Sequence, residues 1–171
     1  MQKVTNLVVR LIVLLGVLFA MPVWYAIVMP ITLVASFFMV KMIMPVVLLD
    51  NSLQLGNLTL HFIPACAAVP AYILLVLLIG LTSDISWKRR LQMGGLGFLL
   101  IFIANLLRIG ILIGILVLFG KNLFSAVHLV FWHGVASVYV AVVWMLLVKW
   151  FKVKSIPIIS DFQMLRRWLK R

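Results

Sequence analysis

Apolar residues run along this chain in four long blocks separated by short polar segments. The blocks cover roughly residues 7–29, 66–82, 92–119 and 124–148. A helix needs about 20 residues to cross the ~30 Å hydrocarbon layer of a bilayer. The pattern therefore predicts about four transmembrane helices.

Residues 31–49 form a further apolar stretch that allows two interpretations. Lys41 and Pro45 interrupt it, so we expect an amphipathic or re-entrant helix on the outer membrane surface. A fifth transmembrane helix is the alternative, and it would place either the N-terminus or the later loops on the side that the basic residues disfavour.

The next segment, LDNSLQLGNLTLHFI (residues 49–63), alternates apolar and polar residues with a period near two. Such alternation is typical of a β-strand with one buried face. The pairs Asp50–Asn51 and Gly56–Asn57 are frequent turn formers. We therefore expect a small β-hairpin outside the membrane.

Composition agrees with a membrane location. Of the 171 residues, 66% are hydrophobic and 11% are charged, whereas soluble domains have about 45–50% and about 25%. The chain lacks the polar surface that a soluble domain needs. We expect an all-α integral membrane protein of one domain (1–171), with a core over 7–150 and a basic tail over 151–171.

Charge is strongly asymmetric, with 15 Lys and Arg against 3 acidic residues and a net charge of +12. In a soluble protein this would suggest nucleic acid binding, but here the basic residues flank the apolar blocks, at 88–90 and 149–154. The positive-inside rule then predicts that both termini and the 83–91 loop are cytoplasmic, and that residues 50–64 lie outside.

Three reactive side chains share one predicted membrane depth. Counted along helices from the cytoplasmic basic residues, Arg108, Cys66 and His128 lie about 27, 33 and 31 Å away. Each would reach the outer boundary of the bilayer from a different helix. Ionisable groups inside spans are costly, so a shared depth favours a common site.

These three residue types suit nucleophilic catalysis at a carbonyl. A helix N-terminus and a nearby cation lower a thiol pKa, which would activate Cys66. His128 can transfer protons, and Arg108 can stabilise an oxyanion. Taken singly, each also fits a simpler role: a small buried side chain, a snorkelling cation and an interfacial histidine.

The segments IPACAAVPAY, WKRRLQMGGLGFLLIFIANLLRIGILI and FSAVHLVFWHG resemble the exosortase/archaeosortase family, in particular its short members. The family pattern is a Cys at the start of a span, an Asn-x-x-Arg-Ile stretch and a His opening the last core span. Here these are Cys66, Asn105 with Arg108 and Ile109, and His128. The resemblance covers roughly residues 22–150.

This resemblance implies a membrane cysteine transpeptidase (a thiol protease type of hydrolase) for exported proteins with a C-terminal sorting signal. That signal is a short motif, one membrane helix and a basic tail. The acyl group would pass to an acceptor amine, for which a lipid headgroup is one candidate. The alternatives are a membrane cysteine protease that uses water, and a non-enzymatic helical subunit of a transporter or assembly complex.

Two further polar residues are substrate-binding candidates. Asn105 lies three residues before Arg108, on the same helix face, where it could hold the guanidinium or substrate backbone, or pack helices through its amide. His133 lies five residues after His128, about 140° around the helix, and is the alternative histidine. Ala67 and Ala68 depart from the small polar residue and the Gly that the family often has after its Cys.

The sequence indicates no cofactor. It has no Cys, His and carboxylate cluster with metal-ligand spacing. Gly94, Gly95 and Gly97 follow no predicted strand, so they indicate close helix packing rather than a nucleotide loop. We expect no metal, no cofactor and no nucleic acid partner.

Overall fold

The computed structural model describes residues 11–12, 15–82, 85–130 and 136–153, and over these ranges the chain is mostly helical with one small sheet. The helices are α1 (Met21–Lys41), α2 (Val69–Leu81), α3 (Trp87–Phe119), α4 (Lys121–Val130) and α5 (Ala136–Trp150). The strands are β1 (Val47–Leu49), β2 (Ser52–Leu55) and β3 (Leu58–His61), and a 3-10 turn covers Pro64–Ala67.

Helix α3 is the central element, and α1, α2, α4 and α5 all pack against it. Its 33 residues span about 50 Å. Helices α1 and α3 are long and apolar enough to cross a membrane, whereas α2 and α5 are shorter apolar helices of 13 and 15 residues. By length, the expected span over 92–119 is therefore supported. Helix α1 shares only residues 21–29 with the expected span over 7–29, whose first residues, 7–10, lie outside the described ranges.

The outer helix expected over residues 31–49 is not a separate element. Helix α1 continues through Pro30 to Lys41, and residues 47–49 form strand β1. The buried residues Thr32, Leu33, Ser36 and Val40 recur at helical spacing, so one stripe of α1 packs inward through this stretch. The predicted helix was wrong because these inward-facing residues extend α1 instead of starting a new helix.

The expected hairpin is a three-stranded antiparallel meander in the order β1-β2-β3. Both turns lie at the predicted pairs, with a positive φ of 42° at Asp50 and 59° at Gly56. Strand β1 was not predicted because its sequence, Val-Leu-Leu, shows no alternation. Leu53 and Phe62 are buried in one apolar cluster with Ile109 of α3, so the sheet packs on the C-terminal half of α3.

Arg90, in the first turn of α3, binds the C-terminal end of α2. Its guanidinium donates hydrogen bonds to the carbonyls of Gly80 (2.9 Å) and Thr82 (2.7 Å) at the end of α2. A cation is favourable at a helix C-terminus, where carbonyl groups lack helical partners. One basic residue of the predicted cytoplasmic loop therefore also stabilises the fold.

The block predicted as one helix over 124–148 is described as two helices, α4 and α5. Helix α3 ends at Gly120, whose φ of 80° is in the left-handed region that favours glycine, and α4 turns back along α3. Residues 131–135, including His133, lie outside the described residues, as does the predicted tail beyond residue 153.

Of the three glycines near the start of α3, only Gly97 lies at a close helix contact. A Cβ built there would be 2.5 Å from Leu75 Cδ2 and 3.0 Å from Leu147 Cδ1, whereas one at Gly94 or Gly95 would have no described residue within 4 Å. The predicted role in helix packing is confirmed for Gly97 and is wrong for the other two.

Gly97→Leu should lower the melting temperature of the detergent-solubilised protein, followed by circular dichroism. The added side chain must displace Leu75 and Leu147, and overpacking of this kind costs about 1–3 kcal/mol. The matched control is Gly95→Leu, because Gly95 is exposed on the same helix. Equal melting temperatures for the two variants would contradict the packing described here.

Candidate active site

Cys66 lies in the 3-10 turn Pro64–Ala67, ahead of α2. Its N–H donates to the Ile63 carbonyl (2.8 Å), which closes the turn. Ala68 then adopts φ 51° and ψ 29°, a left-handed conformation that costs a non-glycine residue about 1–2 kcal/mol. The expectation that Cys66 opens its helix is therefore wrong: one strained residue separates the turn from Val69, where α2 begins.

Two side chains of α3 hold the cysteine turn through its carbonyl groups. Asn105 Nδ2 donates to the Cys66 carbonyl (2.8 Å). Arg108 Nη2 donates to the Ala65 carbonyl (3.0 Å) and lies 3.5 Å from the Cys66 carbonyl. These carbonyls belong to a 3-10 turn that does not continue as a helix, so α3 supplies the donors that the turn itself lacks.

Arg108 is a buried cation with spare donor capacity. Only 9% of its surface is exposed, and its Nε has no partner among the described residues. The whole sequence has three acidic residues, and none of them lies in α3. The unpartnered Arg108 donor can therefore bind an anionic or carbonyl group. Asn105 Oδ1 also lacks a partner in the described part of the chain, but it is an acceptor and can bind only a donor.

His128 reaches the site because α4 runs back from Gly120 along α3. Its ring stacks on Phe124, one helical turn earlier, with centroids 5.7 Å apart and an interplanar angle of 17°. The side chain is half-buried, and its Nδ1 has no partner within the described ranges. The imidazole is thus oriented by stacking and keeps a ring nitrogen available for proton transfer.

One cavity of about 330 Å³ is lined by Cys66, Arg108 and His128 together. The structure therefore brings together the three residues that sequence depth had suggested. Asn105 lies behind the turn and contacts it through the Cys66 carbonyl. The catalytic roles of these residues remain predictions.

The cavity also contains residues that the sequence reasoning did not select, His61 and Lys121. His61 was treated only as part of the predicted strand, although its exposed position in the alternation was a usable signal. Among the described residues, Arg108 and Lys121 line the cavity and no acidic side chain does, so these residues give it a positive field. Within the described ranges, no three His, Cys or Asp side chains are grouped as metal ligands would be.

Burial and charge act in opposite directions on the thiol. Burial raises the pKa of Cys66, while the Ile63 backbone N–H and the charge of Arg108 lower it by less. The expected net lowering is therefore wrong, and the Cys66 thiol is mainly protonated at neutral pH. Burial, followed by the charge of Arg108, lowers the pKa of His128, so this imidazole is neutral and can accept a proton.

Comparison with known proteins finds one family. The family model described as transmembrane exosortase (Exosortase_EpsH) matches residues 3–150 of the chain. No curated protein and no solved structure matches it. The match includes all three cavity residues named above.

The rate at which iodoacetamide alkylates the purified protein should rise with pH to a midpoint above the ordinary thiol value of about 8.5. Because Cys66 is the only cysteine, every adduct reports this site. Arg108→Gln should move the midpoint higher, since it removes a charge that lowers the pKa of Cys66. Lys88→Gln, which removes an exposed charge in the first turn of α3, far along that helix from Arg108, should leave the midpoint unchanged. An unchanged midpoint in the Arg108→Gln variant would contradict this electrostatic coupling.

Proposed function

Because the chain belongs to the transmembrane exosortase family, we propose that it is a membrane cysteine transpeptidase that cleaves the C-terminal sorting signal of exported proteins. The signal consists of a short motif, one membrane helix and a basic tail. The cut is made on the outer side of the cell membrane, in a multi-pass protein.

The observation that carries this proposal is the cavity shared by Cys66, Arg108 and His128. A nucleophile, a proton carrier and a fixed cation are the three parts that acyl transfer needs. Their convergence from the 3-10 turn, α3 and α4 is hard to explain by packing alone, since each is a polar group with unused bonding capacity or a reactive sulfur.

The first half-reaction forms a thioester. His128 takes the proton from Cys66, and the thiolate attacks the carbonyl carbon of the scissile peptide bond. Arg108 stabilises the negative charge on the carbonyl oxygen. The C–N bond then breaks, and the leaving amine takes the proton from His128, so that the C-terminal fragment departs with its membrane helix.

The second half-reaction releases the product. An acceptor amine attacks the thioester carbonyl and gives its proton to His128, which returns it to the Cys66 sulfur. A lipid headgroup amine is the proposed acceptor because the site lies close to the expected membrane surface. Ionisation of the thiol through His128 is consistent with the pKa directions of both groups, which favour a neutral pair before substrate binds.

Two alternative functions, a protease and a non-enzymatic subunit, are to be distinguished from a transpeptidase. Water as the acceptor would make the protein a membrane cysteine protease, with the same residues in the first half-reaction. A non-enzymatic subunit is favoured by the bonds of Asn105 and Arg108 to turn carbonyls, since these stabilise the fold without any reaction. The next experiment separates all three.

Replacement of the chromosomal gene by Cys66→Ala or Cys66→Ser should leave exported precursors with their full C-terminal helices. Mass spectrometry of membrane and exported proteins from both strains reads the C-termini directly. A wild-type product with an amine adduct indicates transpeptidation, and a free carboxylate indicates hydrolysis. Immunoblots must show equal amounts of the wild-type protein and the variants. Unchanged C-termini in the Cys66→Ala strain would exclude both enzymatic functions.

His128→Ala should reduce processing by about 10²-fold or more, because general acid–base catalysis contributes about 10²–10⁴-fold. His61→Ala and His133→Ala should each cost less than about tenfold, since neither is assigned a proton transfer. Pulse-chase mobility shifts of a precursor measure the three rates. A larger loss for His133→Ala would keep the covalent mechanism but assign the proton transfers to that residue.

A further inference from the structure

Strand β3 is both an edge of the sheet and a wall of the candidate active-site cavity. The sheet order is β1-β2-β3, so β3 pairs on one side only, with β2. Six consecutive residues, 58–63, line the cavity together with Cys66. An extended backbone edge therefore runs beside the thiol.

The pairing register shows which backbone groups of β3 do not bond to β2. The Phe62 N–H donates to the Asn51 carbonyl (2.8 Å), so that pair is of the hydrogen-bonded kind. In an antiparallel ladder, hydrogen-bonded pairs alternate with non-hydrogen-bonded pairs. Counted from this pair, Ser52 opposite His61 and Gln54 opposite Thr59 are non-hydrogen-bonded pairs. The N–H and C=O groups of Thr59 and His61 therefore point away from β2, toward the free edge.

These outward groups have no bonding partner among the described residues. Both residues are exposed. Unpaired edge groups are a template for another extended chain, and they cannot lie in hydrocarbon, where each would cost several kcal/mol. The edge is therefore in a hydrated zone and open to a partner.

We propose that the segment of the substrate just before its membrane helix binds as a fourth strand on β3, with its backbone paired to Thr59 and His61. This inference rests on the proposed function. A peptide bond that is attacked by Cys66 must enter the cavity on an exposed, extended backbone, and β3 provides matching donors and acceptors along that route. Main-chain pairing supplies affinity with little dependence on side chains.

The opposite edge of the same sheet does not fit this role. The backbone groups of Leu53 bond to β3, so those of Ser52 and Gln54 bond to β1. Leu48, which lies opposite Leu53, therefore has backbone groups that point away from β2. Leu48 does not line the cavity. Pairing between the β3 strands of two copies is also disfavoured, because it would fill the cavity beside Cys66 and leave no space for substrate.

Thr59→Pro tests the proposal, because proline removes the outward N–H while the pairing with β2 stays intact. The probe is an exported precursor whose C-terminal shortening is lost in Cys66→Ala cells. Loss of one hydrogen bond should slow its processing by roughly tenfold. Thr59→Val, which keeps the N–H, should process the precursor faster than Thr59→Pro does. Leu48→Pro, which alters the other edge, should process it at the wild-type rate.

A second measurement keeps the test independent of folding. A photo-crosslinking amino acid is placed at position 59 or 48 in the Cys66→Ala protein, and adducts with the precursor are detected by immunoblot. An adduct from position 59 and none from 48 supports strand addition. Equal adducts from the two positions, adducts only between enzyme copies, or wild-type processing by Thr59→Pro would overturn it. If shortening does not depend on Cys66 at all, the proposed function itself fails.

Discussion

The hydrogen bonds from α3 to the carbonyls of Ala65 and Cys66 are the interaction on which the rest of the site depends. A short turn at the end of a sheet has no internal donors for these carbonyls, and a buried guanidinium needs acceptors. Asn105 and Arg108 satisfy both requirements at once. Leaving such buried carbonyl groups without their donors typically costs about 1–3 kcal/mol. The position of the thiol is thus tied directly to the central helix.

Helix α2 is consequently held at both ends by arginines of α3. Arg108 binds the turn that precedes it, and Arg90 binds the carbonyls that end it. Between them, Gly97 allows the close approach of Leu75. An element of only 13 residues, which spans about 20 Å, is therefore rigidly placed without needing a long helix. The proposed reaction requires a fixed support of this kind, because in it Cys66 must meet a substrate that is anchored in the membrane.

The same burial that fixes the site also makes its thiol less reactive. Apolar surroundings raise the pKa of Cys66 more than Arg108 lowers it. In the proposed mechanism, the neutral His128 on α4 accepts the thiol proton, which would couple ionisation of Cys66 to substrate binding. A thiol that stays protonated until then is also protected from oxidation, because the thiolate is the reactive form.

Local pattern determined much of this protein by itself. Spacing alone indicated the apolar block of α3, the turns at Asp50–Asn51 and Gly56–Asn57, and the grouping of the three candidate catalytic residues. Their common depth in the membrane stays a prediction. These features depend on neighbours in the chain, through helical rise, turn chemistry and charge at the ends of apolar runs.

Only the tertiary structure decided where apolar runs change conformation. Residues 31–41 extend α1 while 47–49 pair with β2, and an apolar run has no period that separates these outcomes. The placement of His61 beside Cys66 and the reversal at Gly120 likewise follow from packing on α3. The burial of Arg108 among carbonyl groups depends on residues about 40 positions away in the chain. Contacts between residues so far apart in the chain produce no periodic pattern in the sequence, because the pattern around each residue depends only on its neighbours in the chain.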